Sequence, residues 1–179
     1  PCEGMAGMCT VCGSPAEVDP SYNGYAYCLK HFRRLIVKRV RRDLRHQSFD
    51  PSRAYVFKDD GSVLATLTIG ILRDIFGPHL DIDTDSGVTP GVGVILPTCL
   101  EDDVSARFRR FLEGSSVDLP GIRPLRTVGV EDVNALSGSS LGRSSVAHQL
   151  LLDLEMAQPG TFFSMQKVFR KEKEKKKKE

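Results

Sequence analysis

The sequence predicts an α/β fold: a small N-terminal metal-binding knuckle and a basic helix, followed by a reduced Rossmann-like parallel sheet. Three observations predict it. Soft ligand residues come in two pairs, Cys9 with Cys12 and Cys28 with His31, each pair separated by two residues. A stretch dense in arginine with a helical apolar period follows at once. Beyond it, short β-branched runs alternate with helix-length amphipathic segments, the pattern of βαβ units.

Fifteen residues separate Cys12 from Cys28, and they include Gly13, Pro15, Pro20 and Asn23-Gly24. Such turn formers suit a loop that folds back and brings the second pair to the first. Two Cys/His pairs at this spacing can surround one tetrahedral ion, and Zn2+ is the expected occupant of Cys9, Cys12, Cys28 and His31.

From Cys28 to Gln47 the apolar residues Leu29, Phe32, Leu35, Ile36, Val40 and Leu44 recur at steps of three and four. One face of a helix is therefore greasy. Lys30, Arg33, Arg34, Lys38, Arg39, Arg41, Arg42 and Arg45 lie between them, against a single acid, Asp43. A charge run of this kind is either a solvated face or a phosphate-binding one. The near-pure sign and the preference for arginine favour phosphate, because the guanidinium fork matches phosphate oxygens. The expected RNA-binding residues are Lys30, Arg33, Arg34, Lys38, Arg41, Arg42 and Arg45.

The 179 residues suffice for one main core and a small appended module. A net charge of +2 hides a basic N-terminal helix, a mildly acidic middle and a basic end. Three of the five cysteines serve the knuckle, so Cys2 and Cys99 have no evident partner and a disulfide framework is not expected. No apolar run is long enough to span a bilayer, and the N-terminus lacks the pattern of a signal peptide. A soluble, cytoplasmic protein is expected.

Beyond the basic helix, 54–57 reads as a strand, 58–62 as a turn, and 63–76 as a helix with Leu64, Leu67, Ile71, Leu72 and Ile75 inside. Residues 79–83 can form the next strand, 84–91 a loop, and 92–96 a central strand stopped by Pro97. A helix is expected over 101–114, with an acidic first turn, Val104, Phe108, Phe111 and Leu112 inside, and Arg107, Arg109 and Arg110 outside. After a loop at 115–126, a short helix is expected at 130–136 and a Ser/Gly link at 137–145. Helices at 145–156 and 161–171 complete the domain. The boundaries are then 1–31 for the zinc-binding module, 32–47 for a basic linker helix, 48–170 for the α/β domain and 171–179 for a charged tail.

The Cys-x2-Cys, the fifteen-residue loop, Cys28-Leu-Lys-His31-Phe32 and the basic helix together resemble the N-terminal module of the archaeal and eukaryotic tRNA 2-thiouridine synthases. These are ATP-pyrophosphatase-type enzymes that adenylate a tRNA uridine and replace its oxygen with sulfur. The resemblance continues in Leu100-Glu-Asp102, in the helix closing on Phe111-Leu-Glu-Gly114, in Ile122-Arg-Pro-Leu-Arg126, and in Leu151 to Phe163 with Pro159-Gly160-Thr161. It implies an adenine nucleotide alpha hydrolase-like domain over 48–170, RNA as partner, and a phosphate loop at Phe57 to Ser62.

That loop departs from the family's Ser-Gly-Gly-Lys-Asp-Ser. Here Phe57-Lys58-Asp59-Asp60-Gly61-Ser62 keeps only Lys58, Gly61 and Ser62 as vestigial nucleotide-binding positions, and the same residues make a good turn and helix cap. The family's insert with a catalytic Cys pair is missing between Asp83 and Val92. Cys99 stands where a strand ends, as a buried small hydrophobe or a reactive thiol. These departures lead to an expected non-catalytic pseudoenzyme that binds tRNA or the ribosome, or joins an RNA-modifying complex beside a catalytic thiolation subunit. Two other readings stay open. One is an active ATP-dependent tRNA sulfurtransferase with Ser62 and Lys58 on phosphate and Cys99 on sulfur; the other is a protein-binding scaffold.

Overall fold

A computed structural model describes residues 7–20, 24–77, 80, 82–83, 92–113, 115–116, 119–138, 153–158, 160–165 and 167–168. Its elements in chain order are α1 (Leu29–His46), β1 (Tyr55–Phe57), α2 (Val63–Phe76), β2 (Ile82–Asp83), β3 (Gly93–Ile95), α3 (Leu100–Leu112) and α4 (Val130–Ser137). Residues 153–157 and 161–165 are also helical. Residues 139–145 of the Ser/Gly link expected at 137–145, most of the 145–156 helix, the loop at 84–91 and the charged tail lie outside the described residues. So do Cys2 and the side chains of Phe111 and Leu112.

The three strands form a parallel sheet in the order β2, β1, β3, with Tyr55 opposite Ile82 and Gly93, and Phe57 opposite Ile95. All three β1 residues are buried, as a central strand covered on both faces requires. A parallel bridge from Ile95 to Ile122 extends the sheet past β3. Gly93 is required by this register: a Cβ there would stand 2.5 Å from the Tyr55 ring. Tyr55 is pinned on its other side by Phe49, stacked at 4.7 Å between centroids, and by its hydroxyl accepting from the Asp50 N–H.

α1 belongs to the same core. Phe32, Ile36, Val40 and Leu44 are buried in one cluster with Phe57 of β1, Ile71 and Leu72 of α2, Ile95 of β3 and Val133 of α4. The predicted apolar stripe thus packs against the α/β domain, leaving the opposite side of α1 to solvent. A smaller cluster of Leu100, Val104 and Phe162 seats residues 161–165 on α3.

The one acid of α1 is buried on that same stripe. Asp43 receives both prongs of Arg126, at 2.7 and 3.0 Å. One turn on, Gln47 donates to Asp43 and to the Arg123 carbonyl, and accepts from the Arg123 N–H at 2.7 Å. A fork-to-carboxylate pair is directional as well as strong, so it fixes the rotation of α1 about its axis. Arg39 adds a contact to Asp132 of α4 at 3.3 Å.

One arginine expected on a surface is drawn inward. Arg107 is buried, pairing with Asp103 at 2.7 Å, while Arg123 approaches the other oxygen of Asp103 at 3.8 Å. The outward arginine face expected over 101–114 therefore loses a member, because Asp103 sits one turn before Arg107 on the inner face.

Removing the carboxylate at position 43 strands the partly buried Arg126 guanidinium. Asp43→Ala is expected to lower the unfolding free energy by about 3 kcal/mol in urea titrations. A change under about 0.5 kcal/mol would show that the pair carries no weight in docking α1.

Candidate functional site

The knuckle is built from two small backbone pairings. Met8 bridges Pro15, closing the turn that carries Cys9 and Cys12, and Val18 bridges Tyr27 just ahead of Cys28. Gly13, at a φ of 71°, allows that first turn to close, with its N–H on the Cys9 carbonyl at 2.8 Å. Thr10 ties the two halves, its N–H and its hydroxyl both donating to the Ala26 carbonyl. The Glu17 carboxylate accepts from the Leu29 N–H and so caps the start of α1 from the knuckle side.

The four expected ligands converge. Candidate ligand atoms of Cys9, Cys12, Cys28 and His31 all lie within 4.8 Å of one another. Cys12 Sγ is 3.9 Å from Cys28 Sγ, and His31 Nδ1 is 3.3 Å from Cys28 Sγ and 3.6 Å from Cys9 Sγ. Bonds of about 2.3 Å to sulfur and 2.0 Å to nitrogen give tetrahedral edges of roughly 3.8 and 3.5 Å. The group can hold one metal ion. Burial works against ionising Cys9, but the N–H groups of Cys28, Val11 and Cys12 bring its thiol down to about 6. At Cys28 the His31 N–H lowers the pKa, yet burial and the Cys12 and Cys9 sulfurs outweigh it and the net shift is upward. Thiolates crowded in this way are relieved by a cation.

α1 leaves the ligand group with its cations sorted by face. Lys30, Arg34, Lys38, Arg41, Arg42 and Arg45 are exposed, and at 3.6 residues per turn they fall within about 120° of the helix circumference. Their stripe is roughly 22 Å long at 1.5 Å per residue. Arg33 is half-buried on the flank and pairs with Asp74 of α2 at 2.7 Å. Arg41, though exposed, reaches the Ile75 carbonyl at 3.4 Å. Among the expected RNA-binding residues, Arg33 is thus the one engaged by a carboxylate of α2.

The second candidate region is the carboxyl edge of the sheet, where β1 and β3 lie side by side and the chain leaves in different directions. Lys58, Asp59, Asp60 and Gly61 are exposed there. The loop is closed on itself: Asp59 accepts from the Gly61 N–H at 2.9 Å, Asp60 accepts from the Ser62 N–H at 3.0 Å, and the Ser62 hydroxyl accepts from the Ala65 N–H. Ser62, through its side chain and then its backbone, holds the Asp60 carboxyl below its usual range. The amides that would meet a phosphate already meet carboxylates, and Gly61 and Ser62 serve as turn and cap.

Across the edge, Cys99 is buried and donates to Asp102 at 3.0 Å. Burial, with the Glu101 and Asp102 carboxylates, pushes its thiol far up, so the reactive thiolate is disfavoured. Glu101 reaches the start of α4, accepting from the Val130 N–H with both oxygens at 2.9 Å. Burial raises it to about 7. Sequence reasoning missed Glu17, Asp43, Gln47 and Glu101 as positioning residues; for Asp43 the signal was a lone acid in register with Ile36 and Val40.

A parallel α/β domain carrying a Cys/His group that can hold a metal and a helix with one basic face is the class defined by fold and site. No family model and no curated protein matches the sequence. Among solved structures, the U34-tRNA thiolase NcsA from Methanococcus maripaludis, with its [4Fe-4S] cluster, is similar at a TM-score of 0.71 and 13% identity, over 94% of this chain and 87% of that one. The fold is similar to that of this enzyme. This corrects the expectation of a pseudoenzyme, which rested on departures in single loops. The neighbour is an enzyme, and the likeness runs along nearly the whole chain. No helix among the described residues is long and apolar enough to cross a membrane.

Two measurements follow from the sheet edge. Asp59→Ala combined with Asp60→Ala frees the Gly61 and Ser62 amides and removes like charge, so pyrophosphate affinity should rise by about tenfold, read by calorimetry. Affinity unchanged from the parent would contradict the self-closed loop. Because the folded pKa of Glu101 lies above its ordinary value, ionising it costs stability, and that cost grows as pH rises from about 4.5 to about 7. Glu101→Gln, which keeps an acceptor for Val130, should stabilise by roughly 3 kcal/mol at pH 8 and by only about 1 kcal/mol at pH 5. An equal effect at both pH values would remove the charge as the cause.

Proposed function

We propose that this chain is a zinc-containing, RNA-binding protein that acts on tRNA within the thiolation class of chemistry. The observation that carries the reading is the stripe of exposed cations on α1, which begins at the ligand group and whose opposite face is locked into the α/β core. Phosphates spaced along an RNA backbone can neutralise such a stripe without deforming it, because the helix is held at both ends. The resemblance of the whole fold to a tRNA thiolase supports tRNA as the class of RNA.

Zinc is preferred to a cluster on the chemistry of the donors. Three sulfurs and one imidazole at single-ion edges suit a closed tetrahedral structural site. A four-iron cluster seats a separate iron under each ligand and draws on four thiolates. The ion would tie Cys9 and Cys12 to the first turn of α1, so that the knuckle and the basic face move as one body.

At the sheet edge, any polyphosphate would face the Asp59 and Asp60 carboxylates and would need a divalent cation between them. Sulfur transfer through Cys99 is disfavoured by its burial and its neighbouring carboxylates. The RNA-binding part of the proposal rests on α1 and is independent of both.

The test is binding of unmodified tRNA by the zinc-loaded protein across a salt series. Affinity should fall steeply with salt, and the variant with Arg34→Ala, Lys38→Ala and Arg42→Ala should lose about 2 to 3 units of the log-log slope. A slope that ignores these three changes overturns the reading, and elemental analysis returning no zinc overturns its metal.

A further inference from the structure

The backbone of Arg123 is pinned, and its guanidinium is not. One residue earlier, Ile122 is bonded to the strand beside it, its N–H donating to the Val94 carbonyl at 2.7 Å and its carbonyl accepting from the Leu96 N–H at 2.8 Å. The Gln47 amide then accepts from the Arg123 N–H and donates to the Arg123 carbonyl. From this fixed base the side chain runs inward and is only 9% exposed. Among the described residues its guanidinium makes no hydrogen bond. Its ion-pair contact is Asp103 Oδ1 at 3.8 Å, an oxygen that is itself enclosed without a hydrogen bond. A buried guanidinium ordinarily fills its donors, because leaving a charged group unpaired is costly.

The surroundings do not supply what is missing. Arg107 holds the other oxygen of Asp103 at 2.7 Å, and Arg126 holds Asp43, to which Gln47 also donates. Burial keeps the Arg123 guanidinium below its usual range; Asp103 works against that, and the Arg107, Arg126 and Arg110 cations add to it. Asp103 Oδ1 is sealed from solvent, whereas the Arg123 nitrogens keep some contact with it. The donors therefore lie at the bottom of a narrow opening, which admits a small anion and excludes a base or a peptide. Cations reach this region both from α3 and from the turn at 123–126, so the anion must present oxygens in several directions. A carboxylate offers two in one plane. A tetrahedral phosphate offers them all round and matches the guanidinium fork.

We infer that Arg123 forms the floor of a site for one phosphate group, between α3 and the end of α1, with Arg107 and Arg126 as flanking cations. The ligand gives the fork the acceptors that Asp103 does not, and its charge relieves the crowding of guanidinium groups. The site lies on the side of α1 that carries Asp43, away from the exposed stripe, and it does not depend on the reading of that stripe. Two sources share this chemistry: the backbone of a bound RNA and a free phosphate ion.

The test is calorimetric titration of the zinc-loaded full chain with inorganic phosphate, at constant ionic strength. Arg123→Met should weaken phosphate about tenfold. It should not lower the unfolding midpoint in phosphate-free buffer, because a guanidinium without hydrogen bonds contributes little to the fold. Arg123→Lys keeps the charge and loses the fork, and its affinity should fall between those of the parent and Arg123→Met. Should the methionine variant fail to fold, the lysine variant carries the test, and affinity equal to the parent's overturns the site. Arg34→Ala with Lys38→Ala and Arg42→Ala should leave phosphate affinity within about twofold. A loss there as large as that of Arg123→Met places the phosphate on the stripe and overturns the inference. Parallel titrations with unmodified tRNA assign the source. A loss on Arg123→Met that saturating phosphate reproduces in the parent marks the RNA backbone, and unchanged tRNA affinity marks the free ion. Phosphate affinity within about twofold of the parent in Arg123→Met, or no phosphate bound by the parent at about 10 mM, overturns the site.

Discussion

The attachment of α1 to the α/β domain is the constraint on which the rest depends. A helix with this many like charges gains little from its own sequence, since neighbouring cations one turn apart repel. It is held by burying Phe32, Ile36, Val40 and Leu44 against the sheet and α2, and by directional contacts at its two ends. At the start, Glu17 accepts from the Leu29 N–H, beside the group that can hold a metal. At the far end, Asp43 and Gln47 grip the segment from Arg123 to Arg126. Apolar burial alone would permit the helix to roll by a fraction of a turn. The Arg126 fork on Asp43 does not, and the exposed stripe is therefore aimed outward by a contact on the opposite side.

The same logic explains where acids sit in the chain. Asp43, Asp103 and Asp132 are buried, and each meets one or two arginines from a distant segment. Buried pairs of this kind contribute modestly to net stability, because desolvation offsets their attraction. Their effect is on which segments may be neighbours: α1 with 123–126, α1 with α4, and α3 with Arg123. Asp59 and Asp60 are different, being exposed and turned onto their own backbone at the sheet edge. The α/β domain thus uses carboxylates to seat arginine internally and to close a loop at the carboxyl edge of its sheet, where open α/β sheets hold ligands.

Much of the fold was legible in the sequence. The convergence of Cys9, Cys12, Cys28 and His31, the helix Val63–Phe76 and the strands around Val56 and Val94 all follow from spacing and period, which are local signals. α3 begins one residue earlier than expected, at Leu100, because the Leu100 N–H is already satisfied by the Val128 carbonyl. What could not be read was pairing across long separations. Nothing local says that Arg123 joins Arg107 on Asp103, or that Arg33 turns to Asp74 while Arg34 faces solvent. Asp43 was legible in part, since an acid on an apolar stripe requires a partner, but its identity at Arg126 belongs to tertiary structure. The loop departures at Phe57 to Ser62 were read correctly as a turn and cap, yet the absence of catalysis inferred from them did not survive comparison of the whole fold.

The central claim is that RNA lies along the outward face of α1, starting at the metal knuckle. Ultraviolet crosslinking of the zinc-loaded protein to tRNA, with the crosslinked peptides identified by mass spectrometry, tests it most directly. The account predicts crosslinks concentrated in the knuckle and between Lys30 and Arg45, on residues of the exposed stripe. Crosslinks confined to segments away from α1 and the knuckle, with this span untouched, would contradict it.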